Sequence, residues 1–341
     1  MQSPRMTHCL LPMGLLGLRI RTVVTAPPRT LSKGPFVTHP APPFHAAAAG
    51  EHTDDLDLPK LANALVPLAA QAATAILDIY DDPTRFATEA KGDGSPLTRA
   101  DLASHELLTR GLRALSPGVP VLSEEAADAP LDERLAWTTY WLVDPLDGTK
   151  EFVKRNGEFT INIALMTAHE GIARPVLGLV HVPVSGTTYL GVAGEGAWRV
   201  HHGHRTQLHA EAPRDTIRVV ASRSHGNPAT DAFIDGLGEL GRGVERTTSG
   251  SALKLCRVAE GTAHYYPRVA PTMAWDTAAA QAVVEAAGAV IWRYGTRERF
   301  QYDARELVNP SFLVAYAPDA SLPASYGASE PTEASPPTVQ G

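Results

Sequence analysis

The chain has 341 residues, 44% of them hydrophobic, 20% charged and 6% aromatic, with a formal net charge of −7. Residues 1–50 hold no acid but carry Arg5, Arg19, Arg21, Arg29 and Lys33, so this +5 segment leaves −12 on the rest. A domain that acidic excludes polymeric nucleic acid held by bulk charge, since neutralising phosphates needs a basic face.

The length suits one large domain or two packed ones with ample core. Two cysteines, Cys9 and Cys256, make neither a disulfide framework nor a CxxC metal site, and point to a reducing cytoplasm. No unbroken apolar run reaches the roughly 18–20 residues of a membrane span. The leader, residues 1–54, is Arg-rich and acid-free in its first fifty positions, as transit peptides are. Its Pro-rich stretch Pro35–Pro43 cannot continue an amphipathic helix, which favours a disordered extension or an upstream start codon.

In chain order, Leu61, Leu65, Leu68, Ala72, Ile76 and Ile79 predict an amphipathic helix over 60–80, started or kinked at Pro67. Lys91–Pro96 reads as a loop. Thr98 opens a second helix with Leu102, Leu108, Leu112 and Leu115 on its apolar side. Strands are predicted at 119–123, 139–144, 159–166, 176–182, 187–192 and 197–200, a largely antiparallel sheet. From residue 213 strands at 216–221, 244–247, 262–266 and 289–293 alternate with helices at 228–240, 251–260 and 276–287, the mark of an α/β layer. This divides the folded part into an N-terminal α+β subdomain, 55–212, and a C-terminal α/β subdomain, 213–316. The Pro-, Ser- and Thr-rich tail, 317–341, reads as disordered.

The densest chemical signal is Trp141-Leu-Val-Asp144-Pro145-Leu146-Asp147-Gly148-Thr149-Lys150. Two carboxylates at the end of a buried strand can converge on one hard cation, with the Leu146 carbonyl as a further oxygen ligand. Oxygen-only ligation selects Mg2+ or Mn2+ over zinc. The amides of Gly148 and Thr149 would face an anion. Glu124 and Glu125 follow a predicted strand, and alone read as a solvated pair. Asp276 alone reads as an N-cap before an Ala-rich helix, and Asp101 as half of a capping pair with Thr98. His201, His202, His204 and His209 fall in a turn without zinc-site spacing and read as a solvated hairpin. Cys256 reads as a core thiol.

Together, Gly94-Ser-Pro-Leu-Thr98-x-x-Asp101, Ser123-Glu124-Glu125, Asp144-Pro-Leu-Asp147-Gly-Thr149 and Trp275-Asp276-Thr-Ala278 resemble the lithium-sensitive, magnesium-dependent inositol monophosphatase superfamily. Within it, Lys150-Glu-Phe-Val-Lys154-Arg155-Asn156-Gly157-Glu158-Phe159-Thr160-Ile-Asn162 is similar to the bacterial 3′(2′),5′-bisphosphate nucleotidases of the CysQ type. Segments Ser222–His225, Gly250–Cys256, Val258–Gly261 and Tyr266–Arg268 also match that branch. The run Val269–Ala274 departs from the family's usual Gly-Pro-Thr context.

The resemblance implies a layered αβαβα sandwich. It implies hydrolysis of adenosine 3′,5′-bisphosphate to AMP and phosphate, with the 3′-phosphate of 3′-phosphoadenylyl sulfate as a second target. Glu124, Asp144, Asp147, Asp276 and the Leu146 carbonyl would hold two or three Mg2+, with Mn2+ as a substitute. Asp101 would accept from the Thr149 hydroxyl, which orients the attacking water, and Glu125 would serve a more weakly held metal or its water. Gly148, Thr149, His225, Ser251, Lys254 and Arg268 would contact the substrate. The partner implied is a small nucleotide bisphosphate. A homodimer and peripheral association with the cytoplasmic face of the inner membrane stay open. The rivals are an inositol or sugar phosphatase, against which Lys150–Phe159 argues, and a catalytically silent phosphate-binding scaffold, against which the full set of acids argues.

Overall fold

A computed structural model describes residues 56–82, 88–90, 96–222 and 227–327. Asp57 caps the first helix, α1 (Leu58–Tyr80), by accepting from the Lys60 amide at 2.9 Å. The helix begins nine residues before Pro67 rather than at it, and the proline lies on the exposed face. By length and composition α1 could cross a bilayer, which a count of unbroken apolar runs overlooks. In this fold Leu61, Leu65, Leu68, Ala69 and Ala72 are instead buried against the sheet.

A short hairpin, β1 (Thr88–Ala90) and β2 (Pro96–Thr98), leads into α2 (Arg99–Leu115). The buried stripe of α2 runs through Ala100, Asp101, Ser104, Leu108 and Leu112. Leu102 and Leu115, expected on the apolar side, are exposed. The inward face is polar where it meets the end of a strand, the Ser104 hydroxyl donating to the Pro145 carbonyl.

Next come β3 (Val121–Ser123), α3 (Leu131–Ala136), β4 (Thr139–Asp147), α4 (Thr149–Val153), β5 (Thr160–His169), β6 (Ile172–Val182), β7 (Thr187–Val192), β8 (Gly196–His201) and β9 (His204–Leu208). The strands β3 to β9 line up in sequence order, antiparallel except for the parallel pair β3–β4. Then follow β10 (Thr216–Ser222), α5 (Pro228–Gly236), β11 (Gly243–Ser249), α6 (Leu253–Ala259), β12 (Tyr265–Arg268), β13 (Thr272–Met273), α7 (Ala274–Ala286) and β14 (Val290–Arg293). The last strands are β15 (Tyr302–Asp303), β16 (Val308–Asn309) and β17 (Phe312–Ala315). A smaller mixed sheet has the order β11-β10-β12-β17-β14.

Side chains alternate across each strand, so each sheet feeds two cores. Trp141, Val143, Ile163 and Leu179 pack under α1 and α2. Leu142, Ala164 and Val180 face the other way, onto α6 and α7, which also meet Val220, Ile291 and Val314 of the small sheet. Ile217, Val219 and Leu313 bury the outer face of that sheet under Phe233 and Ile234 of α5. The result is the α-β-α-β-α sandwich. Its middle layer fits because α7 is alanine-rich and β6 carries Gly178 beneath it. A Cβ there would lie 2.1 Å from the Ala279 carbonyl oxygen.

Residues 317–327, assigned by composition to the disordered tail, belong to this fold. Ala320 is buried, and Tyr326 packs against Phe233 and Tyr294. A few aromatic contacts outweigh the polar composition.

His181 is buried within β6, its Nδ1 2.8 Å from the Thr188 hydroxyl. Burial lowers its pKa from 6.5 to about 4. Between those values the unfolded chain takes up a proton that the folded one refuses, so stability falls as pH drops through that window. His181→Leu should flatten this limb of the melting-temperature profile. An unchanged slope would assign the acid sensitivity to other groups.

Candidate active site

In a regular strand, residues three apart point to opposite faces, so Asp144 and Asp147 should not meet. They meet because β4 bulges. Asp144 pairs with Asn162 but Asp147 pairs with Thr160, three steps on one strand against two on the other. Pro145 has no amide to donate to a ladder, and its carbonyl accepts from the buried Ser104 hydroxyl of α2 at 2.8 Å. The Leu146 amide donates to Asp144 Oδ1 at 2.9 Å, while the leucine side chain anchors the bulge in the core.

From the other half of the fold, α7 brings Asp276. The helix begins at Ala274, two residues earlier than expected, so Asp276 sits in its first turn and accepts from the Met273 amide at 2.8 Å rather than capping it. Asp144, Asp147 and Asp276 each offer an oxygen within 4.8 Å of the other two. Glu124 follows β3, held by its amide to the Val143 carbonyl at 3.0 Å, and its carboxyl hydrogen-bonds Asp144.

Burial raises the pKa of all three aspartates, and repulsion from Glu124 and, for Asp144 and Asp276, from neighbouring aspartates adds to it, carrying Asp276 to about 8 and Asp147 to about 6. Asp147 rises less because Lys254 lies nearby and the Ala252 amide donates to its Oδ2 at 2.6 Å. Asn162 and Thr160 reach the same oxygen, at 3.3 and 3.4 Å. Converging buried carboxylates with few positive partners are a poor arrangement by themselves. As a donor set they fit a hard divalent cation, which takes oxygen ligands and offsets their charge.

Asp147 and Asp276 of this cluster line a cleft of about 150 Å³ whose other walls include Gly148, Lys150, Ser249, Ser251, Lys254 and Arg268. Lys254 is buried, its ammonium donating to the Ser251 carbonyl at 2.7 Å. Burial lowers its pKa to about 8 against the pull of Asp147. Arg268 donates one guanidinium nitrogen to the Pro271 carbonyl at 3.1 Å, while its Nε and the Ser249 hydroxyl are buried without a partner. Unpartnered buried donors in a cleft wall call for an acceptor from a ligand.

The other expected residues are placed as follows. Asp101 is buried in the first turn of α2, Thr149 is half-buried in the first turn of α4, and Glu125 is half-buried after Glu124. Ser251 turns its hydroxyl to the Asp147 and Glu158 carbonyls. His225 lies outside the described residues. The sequence reading gave no role to Ser104, Thr160, Asn162 or Ser249. Thr160 and Asn162 carried a signal, two polar side chains on one face at the start of a buried strand.

The inositol monophosphatase family model matches residues 57–322. The chain is 46% identical over 250 residues to the 3′(2′),5′-bisphosphate nucleotidase CysQ of Escherichia coli K12, covering 73% of this chain and 96% of that protein. It is 46% identical over 251 residues to the nucleotidase CysQ of Salmonella typhimurium, covering 72% and 96%. The crystal structure of CysQ from Bacteroides thetaiotaomicron superposes with a TM-score of 0.67 at 40% identity, covering 76% of this chain and 98% of that one.

Gly148 joins β4 to α4 at φ 89°, and a Cβ there would lie 2.0 Å from the Ser251 hydroxyl. Left-handed backbone alone costs a non-glycine residue about 1–2 kcal/mol. Gly148→Ala should therefore lower the melting temperature by several degrees and depress activity more than stability. Calorimetry and turnover on the same sample check this, and a wild-type melt with full activity would refute it.

Proposed function

The chain belongs to the inositol monophosphatase family, and from that premise we propose that it is a Mg2+-dependent 3′(2′),5′-bisphosphate nucleotidase. It hydrolyses adenosine 3′,5′-bisphosphate to AMP and phosphate, and removes the 3′-phosphate of 3′-phosphoadenylyl sulfate. The observation that carries this reading is the cluster of converging acids, Asp144 buried and Asp147 and Asp276 half-buried, at the lip of a cleft walled by Lys254 and Arg268. Acids alone would repel a bisphosphate, and cations alone would only bind one. The likeness to the CysQ nucleotidases over nearly their whole length supports this substrate against an inositol ester.

Glu124, Asp144, Asp147, Asp276 and the Leu146 carbonyl would hold the Mg2+, two or three ions, with Mn2+ as a substitute. Mg2+ supplies Lewis acidity, making water more acidic and offsetting charge on the phosphoryl oxygens. The rest falls to the chain. Thr149 and Asp101 hold the attacking water in line, the hydroxyl donating to the carboxylate so that its oxygen is left to accept. Glu125 steadies a weakly held cation. The Gly148 and Thr149 amides take the phosphate undergoing attack. Lys254, the orphaned Nε of Arg268 and the Ser249 hydroxyl face the second phosphate. No covalent nucleophile is required.

Phosphate release from adenosine 3′,5′-bisphosphate and from inositol 1-phosphate, measured with and without Mg2+, tests the reading. The nucleotide should be preferred by at least about tenfold, roughly 1.4 kcal/mol, and only with Mg2+. Preference for the inositol ester would overturn it. Asp147→Asn should lose about 100-fold or more in turnover with an unchanged circular dichroism spectrum.

The raised carboxyl pKa values have a second consequence. Each raised group stabilises the Mg2+-free fold at low pH, a contribution lost as pH rises through about 6 for Asp147 and about 8 for Asp276. Mg2+ needs the ionised acids, so the rise in melting temperature on adding it should grow across that interval. A gain independent of pH would place the cation elsewhere.

A further inference from the structure

Resting on the reading of Asp147 as a Mg2+ ligand, we propose that Ser251 is a positioning residue, fixing the Asp147 main chain and hence the aim of its carboxylate. Three consecutive residues before α6 grip the end of β4 and the approach to β5. The Gly250 amide donates to Glu158 Oε2 at 3.0 Å. The Ser251 hydroxyl shares its single proton between the Asp147 carbonyl at 2.9 Å and the Glu158 carbonyl at 2.7 Å. The Ala252 amide donates to Asp147 Oδ2 at 2.6 Å.

Ser251 makes these contacts from the left-handed region, at φ 47°. A non-glycine residue is uncommon there and persists where the surroundings over-determine it. Glycine would suit the backbone better, so the serine is held by what its hydroxyl does. That hydroxyl occupies the space a side chain at position 148 would fill. Asp147-Gly148 and Gly250-Ser251-Ala252 thus interlock. The peptide after Asp147 is pinned by Ser251, one carboxylate oxygen is pinned by Ala252, and the other oxygen is left for a cation. Because the hydroxyl proton is already directed to two carbonyls, the side chain acts through Asp147 rather than by donating to substrate. Groups that orient metal ligands are worth about 10–100-fold in metal affinity.

The test uses Ser251→Ala and Ser251→Gly in the full chain. The glycine variant relieves the left-handed strain, so it keeps the fold even if the alanine variant does not. Mg2+ binding to the substrate-free protein is measured by isothermal titration calorimetry, and KM for adenosine 3′,5′-bisphosphate is measured at saturating Mg2+. Both variants should bind Mg2+ about tenfold more weakly. Their KM should stay within about twofold of wild type once Mg2+ saturates. Wild-type Mg2+ affinity with a raised KM would overturn the proposal and make Ser251 a substrate contact. Failure of the wild-type protein itself to bind Mg2+ would instead sink the metal reading, and this inference with it.

Discussion

Carboxylates forced together out of water are the constraint that the rest of the structure answers. Two unit charges about 4 Å apart repel by roughly 4 kcal/mol at an effective dielectric constant near 20. Were all of them ionised, three aspartates with oxygens inside 4.8 Å of one another, and Glu124 beside them, would set a strain comparable with the whole stability of an ordinary domain. The surrounding groups reduce it one oxygen at a time. Backbone amides of Leu146, Ala252 and Met273 each take an aspartate oxygen, and Lys254 brings a buried positive charge. What they leave uncompensated is the part of the field a divalent cation can use.

Layering explains how acids so far apart in sequence reach one point. Asp144 and Asp147 lie where β4 leaves the large sheet, and Asp276 begins the helix packed between the two sheets. The entry to that helix is braced separately. Asn309 donates to the Met273 carbonyl at 2.7 Å and to the Thr272 and Thr277 hydroxyls, both at 3.0 Å. The segment before Trp275, unusual in sequence, is thereby tied to β16 and delivers Asp276 to the cluster. Beneath, Ser104 of α2 holds the Pro145 carbonyl, while the Ala252 amide just before α6 holds Asp147 at the far end of the bulge.

The elements were legible because burial imposes periodicity, and the strand and helix stripes of β4 to β8 and of α1 announce themselves; their stacking into a sandwich came from the family resemblance. Where reading failed, periodicity was the wrong guide. Leu102 and Leu115 looked like core because apolarity was counted without knowing what the helix face meets. The Asp-Pro-Leu-Asp spacing suggested a metal pair, but only the bulge, an extra residue opposite Thr160 and Asn162, makes an odd spacing converge. Asp276, more than a hundred residues away, reached the site by family resemblance alone, since no local pattern separates it from a helix cap. Ser104, Thr160, Asn162 and Ser249 were missed because their roles lie in contacts with residues far along the chain. Ser251 was noticed for a substrate contact, whereas its hydroxyl faces two carbonyls of its own chain.

The charge balance brings the global and the local into one picture. Beyond residue 50 the chain carries −12, which should turn away a doubly phosphorylated nucleotide. At physiological ionic strength the Debye length is about 8 Å, so charge spread over the outer surface is largely screened from the cleft. Buried charge is screened far less. Lys254, Arg268 and the acids facing them therefore dominate what a ligand meets inside, whatever the surface total. The same acids that make the domain negative are needed to gather a divalent cation beside those two bases. An acidic protein can act on an anionic substrate because its negative charge is concentrated where a metal can reverse it.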